Sequence, residues 1–123
     1  MLTYHAEREG LASYDTLMDM KNVRLKVGML ELPPTGFVVG LVEFRNPEPV
    51  RRELKNYFVG ASSMALQVES AEEEYDRLNS AGIETMSGPT EIVREGRTTA
   101  IAFCVLDPDG IPIEIWEPVD SDA

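Results

Sequence analysis

Thirteen residues, FCVLDPDGIPIEI at positions 103–115, decide how this chain folds. In the tetrapeptide Asp-Pro-Asp-Gly at 107–110, proline presets φ for a β-turn, and glycine tolerates the positive φ that other residues disfavour. Residues 99–106 before the turn read as a long strand. Residues 111–117 after it place isoleucine at every second position, the period of a half-buried strand. The stretch therefore predicts two strands joined by a tight turn.

Upstream of this stretch, the sequence predicts a strand and then an amphipathic helix. Residues 63–68, SMALQV, alternate strictly between larger apolar side chains and small or polar ones. Ser70 is a candidate N-cap with Glu73 three residues later, which is the capping-box pattern. Apolar residues then recur at helical spacing until Gly82, which offers a left-handed stop. The helix is expected over residues 71–81.

A further short strand is expected between this helix and the long strand. The run at 91–94 is strand-like, and it lies between a Ser-Gly-Pro break at 87–89 and a Glu-Gly-Arg turn at 95–97. The predicted order over residues 62–118 is therefore β-α-β-β-β.

These strings carry a family resemblance. Three strings resemble the vicinal oxygen chelate superfamily: residues 63–68, the helix end RLNSAGI at 77–83 and the stretch at 103–115. That group includes glyoxalases, extradiol dioxygenases, methylmalonyl-coenzyme-A epimerases and bleomycin-resistance proteins. The resemblance implies an α+β fold built from βαβββ modules of the glyoxalase/bleomycin-resistance/dioxygenase type, and it indicates a fold far better than an activity.

The first half of the chain resembles the end of another module. Alternating residues on both sides of the Pro-Pro-Thr-Gly turn at 33–36 predict a β-hairpin over 22–45, and a short helix is expected around 11–20. Residues 1–12 show no clear periodicity. The module's opening strand and long helix thus have no counterpart. Either the chain is an N-terminally truncated or divergent member, or a neighbouring chain supplies the missing part.

We expect one domain with four parts. A partial first module covers residues 1–46, a linker 47–61, a complete module 62–118 and a tail 119–123. The linker is charged over 50–58 and leaves room for one helical stretch.

Composition excludes several function classes. Eleven Lys and Arg against 22 Asp and Glu give a net charge of −11, which repels nucleic acid and anionic membranes. The lone Cys104 cannot form an internal disulfide, and it is expected to be inert packing. No apolar run approaches the ~18 residues of a membrane span, so a cytoplasmic protein is expected.

The resemblance implies a divalent metal held by a His or Glu near the first strand and a Glu near the last strand of each module. Here Gly40 stands at one carboxylate position, and Ser63 stands where a His usually opens the second module. His5 lies too close to the first helix to match the family's ligand. Only Glu114 is of ligand type, so no metal is expected. Glu114 is the best candidate for a catalytic or binding role, and the alternative is an inherited carboxylate with a structural hydrogen bond.

The resemblance also implies a central cleft with a mostly apolar lining, which is typical of a small-molecule site. The residues predicted to line it are Val38, Gly40, Val42, Ser63, Ala65, Gln67, Glu114 and Trp116, closed either by the small residues Ala100, Ala102 and Cys104 or by Phe103. The alternative is that small residues only let two sheets pack closely.

Two main functions follow. The first is a metal-free binding protein of the bleomycin-resistance type for a small, partly apolar compound; a cationic ligand would suit the acidic balance and Trp116. The second is a metal-dependent lyase, isomerase or dioxygenase whose site another subunit completes. A third, plainer possibility is a family member that only assembles with partners. A homodimer is expected because the half-module leaves sheet edges uncovered.

Overall fold

The computed structural model describes residues 2–119. The chain divides into two compact units, Met1–Arg51 and Arg52–Ala123. We call the described residues of these ranges unit 1 and unit 2.

Unit 1 is a three-stranded antiparallel sheet with one short helix. Its elements are β1 (Leu2–Glu9), α1 (Ala12–Met18), β2 (Arg24–Leu32) and β3 (Phe37–Asn46), and the strands lie in the order β1-β2-β3. The predicted short helix and β-hairpin are confirmed.

Strand β1 corrects the expectation that the first twelve residues lack regular structure. It pairs antiparallel with β2. Glu7 lies opposite Lys26 and forms an ion pair with it at 3.1 Å, and Glu9 lies opposite Arg24 and forms an ion pair with it at 4.0 Å. The period of a strand is present only over residues 2–7, where Leu2, Tyr4 and Ala6 alternate with polar residues, and it is lost in the charged residues 7–9.

The core of unit 1 lies at one end of its sheet. Val23, Leu25 and Val27 are buried, and Tyr14 and Met18 of α1 pack against them. Helical spacing of apolar residues in α1 therefore serves to cover the start of β2.

One carboxylate fixes the connection between α1 and β2. Asp15 accepts backbone N–H hydrogen bonds from Asn22 at 2.9 Å and from Val23 at 2.8 Å. The side chain thus satisfies two donors that the helix-to-strand turn would otherwise leave without a backbone partner.

Unit 2 is the complete βαβββ module. It contains β4 (Met64–Gln67), α2 (Ala71–Ser80), β5 (Thr90–Arg94), β6 (Arg97–Leu106) and β7 (Pro112–Pro118). The strand order is β4-β7-β6-β5, with β4 parallel to β7 and the other pairs antiparallel. The predicted order of elements is confirmed.

Local signals determine where α2 begins and ends. The Ser70 hydroxyl accepts the Glu73 N–H at 3.2 Å, as the capping pattern predicts. A second carboxylate, Glu117 from β7, accepts the Ala71 N–H at 2.8 Å. Gly82 has φ +76°, the left-handed conformation expected after the helix end.

The core of unit 2 lies between α2 and the sheet. Tyr75 meets Phe103 edge to face, with ring centroids 5.4 Å apart. The buried residues are Ala71, Phe103, Val105 and Ile115, and the half-buried residues packed on them are Leu66, Val68, Tyr75, Leu78, Ile101 and Ile113. Tyr75 and Leu78 therefore attach the helix to the sheet.

Residues 47–63 contain no helix or strand, so the helical stretch considered for the linker does not form. A turn lies at residues 56–60, where the Phe58 N–H donates to the Lys55 carbonyl at 2.9 Å. Among the described helices, none is long and apolar enough to cross a membrane.

Candidate functional site

The sheet of unit 2 has one face packed on α2 and another directed away from it. Ile113 and Ile115 belong to the packed side, so Glu114 and Trp116, which alternate with them on β7, lie on the opposite face. We call this opposite side the far face. Its predicted members are Ala65, Gln67, Ala100, Ala102, Cys104, Glu114 and Trp116.

Strand pairing brings these residues together. Glu114 lies between Ala65 of β4 and Cys104 of β6, and Trp116 stands one pair further along, between Gln67 and Ala102. Small side chains therefore flank the carboxylate, and the indole lies about 7 Å from it along the strand.

Phe103 does not belong to the far face. It is 2% exposed and packs with Tyr75 on the α2 side. The sequence left two alternatives for closing the cleft, the small residues of β6 or Phe103. The small residues are therefore the ones on the same face as Glu114.

A small pocket of about 130 Å³ opens at the Glu114 end of the far face. The strands contribute Cys104, Pro112 and Glu114, and the segment before β4 contributes Asn56, Ala61, Ser62 and Ser63. We call it the Glu114 pocket.

The Glu114 carboxylate has no counter-charge nearby. It is half-buried, and within residues 2–119 no hydrogen bond or ion pair engages its side chain. No Lys, Arg or His lines the pocket in the part of the chain that the structure describes. The Glu114 oxygens are in contact with solvent, because no buried side-chain oxygen of the described residues lacks a partner. A cation or a hydrogen-bond donor from outside can therefore reach them.

Cys104 shows how the carboxylate affects its surroundings. Burial raises the pKa of the Cys104 thiol, and the negative charge of Glu114 raises it further. The thiol is therefore protonated at neutral pH and is a poor nucleophile. This agrees with the expectation that Cys104 is inert packing.

The unit around the pocket is strongly acidic. Residues 52–123 contain five Lys and Arg against fifteen Asp and Glu, a net charge of −10, whereas residues 1–51 contain six against seven, a net charge of −1. Nearly all of the chain's net negative charge thus belongs to the half that contains the Glu114 pocket, and the electric field of this half favours cations.

The other predicted site residues lie in unit 1. Val38, Gly40 and Val42 lie on the face of its sheet that carries Leu25 and Val27, because β2 and β3 pair in that register. A Cβ added at Gly40 would lie 3.4 Å from the Met29 sulfur, on the same side. In unit 1 these positions therefore share the core-bearing face, whereas Glu114 in unit 2 lies on the face away from the core.

The remaining carboxylate and imidazole of the sequence analysis also lie in unit 1. Glu43 points to the opposite side from Gly40 and pairs with Arg45 at 3.2 Å. His5 is exposed on β1, opposite Gly28. Neither lies in unit 2 with Glu114.

The donor set of the pocket does not fit a catalytic divalent metal. In the described ranges, no group of three or more His, Cys, Asp or Glu could hold a metal ion. Glu114 is the single carboxylate of the pocket, and beside it stand a protonated thiol, two hydroxyls and an amide. Divalent metals in proteins take several carboxylate, imidazole or thiolate ligands.

Three pocket residues were missed by sequence reasoning. Asn56, Ala61 and Ser62 belong to an irregular segment, which has no hydrophobic period. The alternation of β4 extends back to Ser63, so only that residue could be assigned to the site from its position before the strand.

The fold can now be compared with known proteins. A sequence model of the Glyoxalase/Bleomycin resistance protein/Dioxygenase superfamily matches residues 9–115. The chain belongs to this superfamily. The resemblance inferred from the strings around 63–68 and 103–115 is thereby confirmed. No curated protein matches the chain at a significant level.

Solved structures agree on the fold of this superfamily. A glyoxalase family protein from Bacillus cereus is 20% identical, with a TM-score of 0.74 over 97% of this chain and 78% of that chain. The structure of SMU.1112c is 16% identical, with a TM-score of 0.66 over 95% and 79% of the two chains. At these identities the likeness shows the fold alone.

Proposed function

We propose that the protein binds a small, partly apolar and cationic molecule at the Glu114 pocket, without a catalytic metal. The observation that carries this proposal is the half-buried Glu114 carboxylate, which has no hydrogen bond or ion pair within the described residues. A bound cation would supply the missing partner, and the net charge of −10 on residues 52–123 would draw it in.

The far face offers a place for the apolar part of such a ligand. Trp116 is half-buried, lies on the same face as Glu114 and has the small Ala102 as its neighbour on β6. An indole beside small residues provides a flat apolar surface for the part of the ligand that extends beyond its charged group.

The competing function is a metal-dependent lyase, isomerase or dioxygenase with a site that another subunit completes. A symmetric pair of chains would add a second copy of Glu114, and these two carboxylates would repel each other unless a cation bridged them. Binding without chemistry needs only the groups that already line the pocket, so we favour it.

A screen distinguishes the two functions. Small aromatic and cationic compounds and the divalent ions Zn, Ni and Mn would be tested by thermal shift and by native mass spectrometry. We expect a subset of cationic compounds to raise Tm in the parent and not in Glu114→Ala. The matched control Glu72→Ala removes one exposed carboxylate of α2 on the other side of the sheet, and it should keep the response.

A different pattern would replace the proposal. If Zn or Ni raises Tm strongly, Glu114→Ala abolishes that rise and no organic compound binds, then the metal-dependent enzyme is the better account.

We further propose that the protein is a cytoplasmic homodimer. The support is β3, an edge strand of the unit 1 sheet, on which Phe37 and Leu41 are 58% and 53% exposed. An apolar edge strand is a liability in a monomer because it templates pairing with other chains. Light scattering at micromolar concentration should give twice the chain mass of 13.7 kDa, and a mass that stays at one chain would contradict the dimer.

A further inference from the structure

The polar groups of the Glu114 pocket distinguish between kinds of cation. We infer that the charged group of the ligand is a primary ammonium rather than a quaternary ammonium or a metal ion. This inference rests on the proposed function and makes its ligand class more specific.

The lining of the pocket is rich in hydrogen-bond acceptors. Its polar residues are Glu114, Ser62, Ser63 and Asn56, whose side chains end in a carboxylate, two hydroxyls and an amide. All four supply acceptor oxygens, and a primary ammonium has three N–H donors that rotate freely about one bond. Three donors thus match a lining that combines one carboxylate with several neutral acceptors.

Aromatic side chains are missing from the described lining of the pocket. Proteins recognise quaternary ammonium groups with cages of aromatic rings. No aromatic residue lines the pocket in the portion of the chain that is described, and Trp116 stands one strand pair away from Glu114. A quaternary head would bring no donor, so it would leave the acceptor oxygens desolvated and unpaired.

The charge of the pocket lining matches a monovalent cation. Glu114 supplies a single negative charge, because the Cys104 thiol beside it stays protonated at neutral pH. One carboxylate with neutral oxygens matches a monovalent cation. A divalent ion would need further anionic ligands to compensate for the loss of its hydration shell.

The test compares two cations that share a butyl chain and differ at the head group, together with a neutral alcohol that is one carbon longer. Isothermal titration at near-physiological salt would measure binding of butylammonium, butyltrimethylammonium and the neutral analogue 1-pentanol. We expect butylammonium to bind at least about tenfold more tightly than either of the others, since a hydrogen bond to a charged group is worth that factor or more.

Two variants locate the effect. Glu114→Gln should weaken butylammonium binding by about tenfold or more, whereas Glu72→Gln, the same charge change on α2, should leave it within about twofold. Ser63→Ala should weaken butylammonium binding by about threefold to tenfold, and it replaces Glu114→Gln as the test if that variant does not fold. Ser80→Ala, at the end of α2, is the matched control for Ser63→Ala.

The outcomes separate the two claims. If butyltrimethylammonium binds as tightly as butylammonium and both depend on Glu114, the primary-ammonium inference is overturned and the proposed function stands. Equal binding of 1-pentanol would also overturn the inference. If neither cation shows binding that depends on Glu114, the inference and the cationic ligand of the proposed function fail together.

Discussion

The carboxylates on the two sheets of this protein differ in their partners. In unit 1 three of them face cations, in the pairs Glu7–Lys26, Glu9–Arg24 and Glu43–Arg45. In unit 2, Glu91 accepts a hydrogen bond from Thr98 and Glu117 accepts the Ala71 N–H, but Glu114 has neither kind of partner among the described residues. Among the strand carboxylates of the described residues, Glu114 therefore stands apart, whereas exposed carboxylates outside the strands, such as Glu72 and Glu84, also lack such partners.

The cores of the two units differ as well. Unit 1 buries three aliphatic side chains at one end of its sheet, whereas unit 2 places Phe103 and Ile115 between the sheet and a capped helix of ten residues. Burial of large apolar groups is the main source of stability, so unit 2 is expected to be more sensitive to truncation in its core.

The largest effect is expected at Phe103. Phe103→Ala should lower the free energy of unfolding by about 3–5 kcal/mol, because it empties the site against Tyr75. Val93→Ala, at a position 57% exposed on β5, should change it by less than about 0.5 kcal/mol. Urea denaturation measures both. Equal midpoints for the two variants would contradict the packing of α2 on the sheet.

An intermediate effect is expected at Asp15 in unit 1. Asp15→Ala removes the acceptor of two backbone N–H groups, and it should cost about 1–3 kcal/mol. Asp15→Asn keeps one acceptor oxygen and should fall between the parent and the alanine variant in the same urea experiment. An alanine variant as stable as the parent would show that water replaces these bonds.

The smallest effect is expected in the paired carboxylates of unit 1. A hydrogen bond and the positive charge of Lys26 lower the pKa of Glu7 from its ordinary value of 4.5. Because the pKa of Glu7 is lower in the folded than in the unfolded chain, the pair stabilises the fold at pH values above the pKa of Glu7 in the unfolded chain. This stabilisation is lost as the pH falls through the pKa of Glu7 in the folded chain. In an NMR pH titration, Lys26→Met should return the Glu7 pKa towards 4.5, whereas Lys21→Met should not. A Glu7 pKa that does not change in Lys26→Met would refute the pairing.

The elements of unit 2 could be predicted because short-range signals specify them. Ser70 and Glu73 mark the helix start, Gly82 marks its end, and the turn at 107–110 separates β6 from β7. In unit 1, β1 was missed because the alternation of Leu2, Tyr4 and Ala6 is short, and Glu7 and Glu9 gain partners only when β2 lies beside them. Such pairing is a long-range property that a local pattern does not contain.

The site could be predicted only in part. Alternation correctly grouped Ala65 with Gln67 and Glu114 with Trp116, since strand period alone decides which residues share a face. It could not decide which face of β3 carries the core, because residues 37–42 are apolar or glycine at every position. It also gave no signal for Asn56 and Ser62, whose irregular backbone has no period.

The central claim is that a cation binds in unit 2 at Glu114 and not at the charged sheet of unit 1. Two-dimensional ¹H–¹⁵N NMR spectra of the ¹⁵N-labelled protein, titrated with butylammonium, test this most directly. We predict shift changes concentrated at Ser62, Ser63, Cys104 and Glu114, and absent in Glu114→Gln. Changes centred on Glu7 and Lys26, or spread evenly over the acidic residues of α2, would contradict the account.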